Sequence, residues 1–67
     1  MTLKIFVNGA PLEIPDGLML QGIVEILEVR GRYAIEVNGE IVPKSEHLEF
    51  AINDGDAVEV VKAVGGG

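Results

Sequence analysis

The chain has 67 residues, five Lys/Arg against eleven Asp/Glu for a formal net charge of −6, no Cys, no Trp, and 48% hydrophobic residues. A domain of this size buries only about 60% of the surface its unfolded chain exposes, which leaves no room for a deep internal active site, and the missing thiols exclude disulfides, thiolate metal centres and cysteine nucleophiles. The acidic balance repels phosphates, and Lys4, Arg30, Arg32, Lys44 and Lys62 are scattered along the sequence, so nucleic-acid binding is not expected.

The chain opens Met1-Thr2-Leu3-Lys4-Ile5-Phe6-Val7-Asn8. Polar residues interrupt the apolar ones before a signal-peptide core or a membrane span can build, so a soluble, cytoplasmic protein without membrane contact is expected. Leu3, Ile5 and Val7 alternate with Lys4, Phe6 and Asn8, the period of a strand with one buried face. Asn8-Gly9 supplies the positive φ values of a tight hairpin turn. Pro11-Leu12-Glu13-Ile14 follows as a short strand whose proline suits it to a sheet edge, and Pro15-Asp16-Gly17 ends it.

From Leu20 the period changes. Leu20, Ile23, Val24 and Leu27 recur at i, i+3, i+4 and i+7, with Glu25 and Glu28 turned outward, which predicts a helix. Its start lacks a polar cap, since Leu18 and Met19 stand where Ser, Thr or Asp is preferred, and Gly22 costs roughly 1 kcal/mol relative to Ala. Arg30 or Gly31 is the expected end, with Gly31 able to adopt the left-handed cap conformation.

Tyr33, Ile35 and Val37 form the next alternating run, and Asn38-Gly39 turns it into Glu40-Ile41-Val42 as a second hairpin. Pro43 to Phe50 is too polar for a strand and too short for a packed helix, so a loop with one helical turn anchored by Leu48 and Phe50 is expected. Asn53-Asp54-Gly55-Asp56 turns the chain again, and Ala57 to Val64 is the last strand, with Val58 and Val60 toward the core and Glu59, Val61 and Ala63 away from it. Strand, strand, helix, strand, strand, irregular turn, strand is an α+β order: one helix on one face of a mixed five-stranded sheet. With the first and last strands side by side at the centre and a hairpin on each flank, the arrangement is a β-grasp. A ferredoxin-like unit needs a second helix, which no segment supplies. Residues 1–64 make the domain and residues 65–67 a flexible tail.

Little in this inventory assembles into catalysis. The hydroxyl side chains are Thr2, Ser45 and Tyr33, and the single imidazole, His47, stands two residues from Ser45 in an expected surface loop without an orienting third group or an oxyanion site. The expectation is therefore a solvated His47 whose replacement by Ala leaves function intact. Glu46, Glu49, Asp54 and Asp56 lack the alternating ligands and closing bidentate Glu of a calcium loop and read as solvated acidic surface. No metal and no bound cofactor is expected.

The terminus asks for another explanation. Gly65-Gly66-Gly67 follows the last strand directly, and three glycines bury nothing and lose the most entropy on ordering. They suit a carboxylate threaded, extended, through a channel too narrow for side chains, with a reach of about 10 Å beyond the domain. The carboxyl carbon of Gly67 is then open to activation, and because a carboxylate is a poor electrophile, that activation requires a separate ATP-using enzyme to form an acyl-adenylate. The bland alternative is a frayed tail or an engineered remnant.

Ile5-Phe6-Val7-Asn8-Gly9, Pro15-Asp16-Gly17, Val37-Asn38-Gly39-Glu40-Ile41-Val42-Pro43 and the closing run from Asp54 to Gly67 together resemble the ThiS family, the sulfur-carrier proteins of thiamine biosynthesis. The likeness runs the whole length and is most specific in the central and terminal blocks; Met19 and Gly22 depart from the family's polar helix cap and fuller helix. The resemblance implies a ubiquitin-like carrier rather than an enzyme. The Gly67 carboxylate would be adenylated by a ThiF-type adenylyltransferase and converted with a sulfur donor protein into a thiocarboxylate. A ThiG-type thiazole synthase would then use that sulfur, with Gly65 and Gly66 as the flexible stem entering both partners' active sites. ATP would belong to the activating partner.

Docking needs a surface as well as a tail. Phe6, Val61 and Ala63 are expected on the sheet face away from the helix as an apolar cluster for partners, the alternative being that Phe6 packs at an edge or fills core. Three other functions stay open: the small subunit of molybdopterin synthase, which shares the fold and the thiocarboxylate; a ubiquitin-like modifier joined to lysines through Gly67; and an interaction module with an idle tail.

Overall fold

The computed structural model describes residues 1–62, so residues 63–67, with the expected continuation of the last strand through Val64, lie outside the described residues. The elements are β1 (Thr2–Val7), β2 (Ala10–Pro15), α1 (Leu20–Ile26), β3 (Tyr33–Val37), β4 (Glu40–Val42), a 3-10 turn (Lys44–Glu46) and β5 (Ala57–Lys62). The strands form one sheet in the order β2-β1-β5-β3-β4. β1 and β5 run parallel at its centre, while β2 and β4 hang antiparallel on either side as hairpin partners. This is the β-grasp arrangement expected from the element order.

Both hairpins turn where the sequence places them. Asn8 and Gly9 have φ of 49° and 86°, and Asn38 and Gly39 53° and 85°, the paired positive values of type I′ turns. The turn fixes the register. With Val7 opposite Ala10 as the first hydrogen-bonded pair, Phe6↔Pro11, Lys4↔Glu13 and Thr2↔Pro15 are the non-hydrogen-bonded pairs, so residues 11, 13 and 15 point their backbone outward from the β2 edge. Two of those three are prolines without an N–H, which closes this edge to further strand pairing.

The alternation read from the strands sets the core. Ile5, Ile14, Ile35, Val37, Val42 and Val58 are buried on one sheet face against Leu20, Ile23 and Val24 of α1, with Ile52 completing the cluster. The helix is shorter than expected. It ends at Ile26 with Leu27 as C-cap, and Glu28 rather than Gly31 is the first residue beyond it with positive φ, at 53°. A chain reversal already at Glu28 brings Val29 back onto the core, with its N–H donating to the carbonyl of Val24.

The missing polar cap at Met19 is replaced by tertiary carbonyls. The N–H of Leu20 donates to Phe50 O at 2.8 Å and that of Gln21 to His47 O at 2.9 Å, satisfying donors that a helix start leaves open. The segment after β4 is thus a backbone cap for α1. Its anchors are Phe50, packed against the core as expected, and His47 in place of Leu48. Leu48 is 74% exposed, whereas His47 is buried, with its Nε2 2.9 Å from the carbonyl oxygen of Val42; that geometry makes Nε2 the protonated, donating nitrogen. The expectation of a solvated His47 is therefore wrong: the ring is a core polar group, and burial without a partner would have been costly. Among the described residues no helix is long and apolar enough to cross a membrane.

Candidate functional site

Whatever residues 63–67 do, β5 delivers them, and the structure invests heavily in holding β5. On one side Asn8 reaches past the end of β1: its N–H donates to Val58 O and its Oδ1 accepts the N–H of Val60, both at 2.9 Å. On the other side Asn38 donates its N–H to Ala57 O at 2.8 Å and accepts the Ala57 N–H on Oδ1 at 3.0 Å. The two Asn-Gly turns, recognised in the sequence only as turns, are also a pair of clamps on the central strand.

The approach to β5 is fixed by the acidic residues of the preceding turn. Asp54 Oδ1 accepts the N–H of Lys4 at 2.8 Å, and Gly55 returns its own N–H to Lys4 O at 2.8 Å. Asp56 is buried, its carboxylate accepting from Asn38 Nδ2 at 2.9 Å and from the N–H of Asn53 at 2.8 Å. This corrects the expectation of solvated acidic surface for Asp56, whose carboxylate is a structural acceptor. Among the described residues no group of three His, Asp or Glu side chains is placed to hold a metal.

The sheet face away from α1 carries Phe6, 38% exposed, and Val61, 49% exposed, as the alternation predicts. The register does not bring them together. Phe6 is level with Ala57 and flanked by Pro11, whereas Val61 lies four residues further along β5 beside Ala34, about 13 Å away at the strand rise. Between these two apolar pieces Glu59 faces Glu36 directly across the strands, with Ile41 beyond Glu36. Ala63, Gly65, Gly66 and Gly67 lie outside the described residues.

At the end of β5, Tyr33 pairs with Lys62. A shallow groove of about 270 Å³ there is lined by Arg32, Tyr33, Ala34, Val61 and Lys62. Lys44 Nζ sits 4.3 Å from the centre of the Tyr33 ring, which also stacks on His47 at 6.5 Å between centroids. Lys44 therefore lies on the Tyr33 ring and Lys62 is its strand partner, with Arg32 lining the same groove. A linear spacing of 18 residues between the two lysines could not show this, because it depends on β3, β5 and the 3-10 turn meeting at one end of the sheet.

Comparison with known proteins identifies this architecture. The chain is 38% identical to a thiazole synthase of Paramagnetospirillum magneticum over 66 residues, which is 97% of this chain and 20% of that protein, so it spans about a fifth of that relative's length. It is 36% identical to the uncharacterized protein ycf40 of Porphyra purpurea, with 97% of this chain and 93% of that one covered. The crystal structure of the thiamine biosynthesis protein ThiS from Geobacter metallireducens superposes with a TM-score of 0.79 at 31% sequence identity, covering 97% of this chain and all of the other. A sequence model of the ThiS family matches residues 4–67, and the chain, a β-grasp domain whose central strand β5 is followed in sequence by Ala63-Val64 and three glycines, belongs to that family.

Proposed function

We propose that the protein is a sulfur carrier for thiazole formation in thiamine biosynthesis, acting as a protein co-substrate rather than as an enzyme. The carboxylate of Gly67 attacks the α-phosphorus of ATP in a ThiF-type adenylyltransferase, releasing pyrophosphate and leaving an acyl-adenylate. Sulfide supplied by a sulfur donor then attacks the carboxyl carbon and displaces AMP, and the resulting thiocarboxylate carries sulfur to a ThiG-type thiazole synthase. The observation that carries this reading is the family match through residue 67 on a chain whose β5 is clamped along its length and leads into three glycines. A rigid strand feeding a side-chain-free stem is what a tethered acyl group needs to reach two different active sites. The likeness to part of a thiazole synthase favours the thiazole pathway over the molybdopterin alternative.

The one imidazole is committed to Val42 O inside the core. Docking falls to the outer sheet face, where Phe6 and Val61 stand exposed in separate places, because the β2 edge is closed by Pro11 and Pro15.

Intact-protein mass after incubation with ATP, a ThiF-type adenylyltransferase and a sulfide source tests the proposal, with a variant lacking Gly66 and Gly67 as control. The expected result is a gain equal to exchanging one oxygen for sulfur, confined to the full chain. No gain with an adenylyltransferase active on its own carrier overturns it, and lysine-linked adducts would move the protein to the ubiquitin-like modifiers.

A further inference from the structure

β5 runs on past the strand beside it. Its last backbone pair with β1 is Val7↔Val58, and the Asn8 side chain adds one step by accepting the Val60 N–H before Asn8-Gly9 turns the chain away. The other neighbour fixes where the remaining groups of β5 point. Asn38 N–H donates to Ala57 O, so Ala57, Glu59 and Val61 turn their backbone toward β3, while Val58, Val60 and Lys62 turn theirs toward the β1 side. Val60 O and Lys62 N–H therefore face the line that β1 has left, and among the described residues neither has a partner.

These two groups are the set that one residue of a parallel strand satisfies, its N–H donating to one carbonyl and its C=O accepting from the amide two residues on. Asn8 makes that pattern one step earlier, with its N–H on Val58 O and its Oδ1 on the Val60 N–H. The vacant line also has an apolar wall. A groove of about 260 Å³ on the helix side of the sheet is lined by Val7, Leu27, Val29 and Val60, with Glu28 and Lys62, of opposite charge, completing it. Strand addition takes its affinity from main-chain hydrogen bonds and its specificity from a pocket for alternate side chains, and this edge offers both. The flanking edges do not: Pro11 and Pro15 close β2, and β4 turns only Ile41 outward.

The course of this edge argues for its occupant. Beyond Lys62 the chain continues Ala63-Val64-Gly65-Gly66-Gly67, and three residues without side chains offer a partner only backbone to bind. A segment paired with Val60 and Lys62 continues along that backbone with the same hydrogen-bond repeat. We propose that β5 beyond Asn8 is a strand-addition site, on which an extended segment of the adenylyltransferase that takes up residues 63–67 pairs with Val60 O and Lys62 N–H and sets an apolar side chain into the groove between Val60 and Leu27–Val29. This rests on the function proposed above and adds the mode by which the partner engages the chain.

The test reads amide exchange at Lys62 by NMR in the full chain, alone and with excess ThiF-type adenylyltransferase, together with pyrophosphate release from ATP by that enzyme for the wild type, Lys62→Ala and Lys62→Pro. Lys62 and Tyr33 are a non-hydrogen-bonded pair, so Lys62→Pro deletes the free donor without breaking the sheet, whereas Lys62→Ala keeps it. The Lys62 amide should exchange freely in the isolated chain and at least about tenfold more slowly in the complex. Lys62→Pro should raise KM for the carrier about tenfold over Lys62→Ala, as loss of a buried intermolecular hydrogen bond does, with melting temperatures within a few degrees of each other. If Lys62→Pro fails to fold, the wild-type exchange decides alone. A wild type that is never adenylated and never protected by the enzyme sinks the sulfur-carrier reading and this site with it. If the wild type is adenylated but its Lys62 amide exchanges equally fast in the complex, or a folded Lys62→Pro matches Lys62→Ala, the strand-addition site is overturned while the carrier survives. Protection already present without enzyme overturns it too, assigning the edge to the chain's own terminus or, where protection rises with carrier concentration, to a second copy.

Discussion

Asn8 and Val60 are 52 residues apart, yet the Asn8 Oδ1 accepts the Val60 N–H at 2.9 Å, extending the β1–β5 ladder one step beyond the last backbone pair, Val7↔Val58. A side chain here stands in for a strand residue. Asn is one of the few residues that tolerates φ of 49° while offering such an acceptor. Asn8→Gly keeps the turn conformation and deletes the acceptor, so it should cost about 1–2 kcal/mol in urea unfolding and speed hydrogen exchange at the Val60 amide. Asn8→Ala, which also loses the left-handed tolerance, should cost more. Unchanged Val60 exchange in Asn8→Gly would show that the bond does not hold β5.

The Glu36–Glu59 pair sets like charges opposite one another on neighbouring strands, an arrangement that is destabilising. Glu59→Thr removes the repulsion and supplies a good strand former, and should stabilise the fold by about 0.5 kcal/mol, since Glu59 is exposed and water screens the pair. Chemical unfolding at low and high salt checks this: the gain should shrink as salt rises, and a loss of stability would show that the pair is not repulsive.

His47 links two elements, through its ring to Val42 O and through its own carbonyl to the N–H of Gln21 at the start of α1. His47→Ala keeps the backbone bond but leaves Val42 O unpaired and opens a cavity, which should cost about 2–4 kcal/mol. For a domain whose whole stability is on the order of 5 kcal/mol, the variant should be largely unfolded near body temperature. A thermal melt within a few degrees of the wild type would return His47 to the dispensable role its sequence suggests.

Gly22 was legible as a weak point in the helix, and propensity alone predicts that Gly22→Ala gains about 1 kcal/mol. The structure reverses that expectation. A Cβ at residue 22 would stand 2.8 Å from Leu18 Cγ, with a Leu18 methyl closer still, and Leu18, partly buried against the core, makes room only by leaving that packing. Gly22→Ala should therefore show no gain, and a loss of about 1 kcal/mol or more is expected from overpacking. Stabilisation on urea unfolding would mean that Leu18 repacks freely.

What the sequence made legible was periodic and local. Ile5, Ile35 and Val58 alternate and are buried, both Asn-Gly pairs turn, and Leu20, Ile23 and Val24 share the buried side of α1. What it hid depends on contacts between distant segments. The helix start looked uncapped because its acceptors, His47 O and Phe50 O, come from beyond β4. His47 looked solvated because its neighbours in the chain are polar. The meeting of Lys44 and Lys62 at Tyr33 appears in no window of the sequence. For the candidate site, alternation placed Phe6 and Val61 on the correct face, but only the β1–β5 register separates them.

That separation makes the two residues distinguishable in function. Val61 stands beside the groove at the end of β5, whereas Phe6 is level with the start of that strand. A partner that must admit residues 63–67 has to approach the Val61 end, and a contact at Phe6 requires an interface extending about 13 Å further along the sheet. Val61→Gln and Phe6→Gln both add a neutral polar group to an exposed face, so neither should move the melting temperature by more than a few degrees. Val61→Gln should weaken binding to the adenylyltransferase about tenfold, as loss of a central apolar contact does. Phe6→Gln should match it only if the interface covers the whole face. Titration calorimetry of the two variants reads the footprint: equal losses mean a face-wide interface, a loss confined to Val61→Gln means docking at the β5 end alone, and no loss in either removes the outer face from docking.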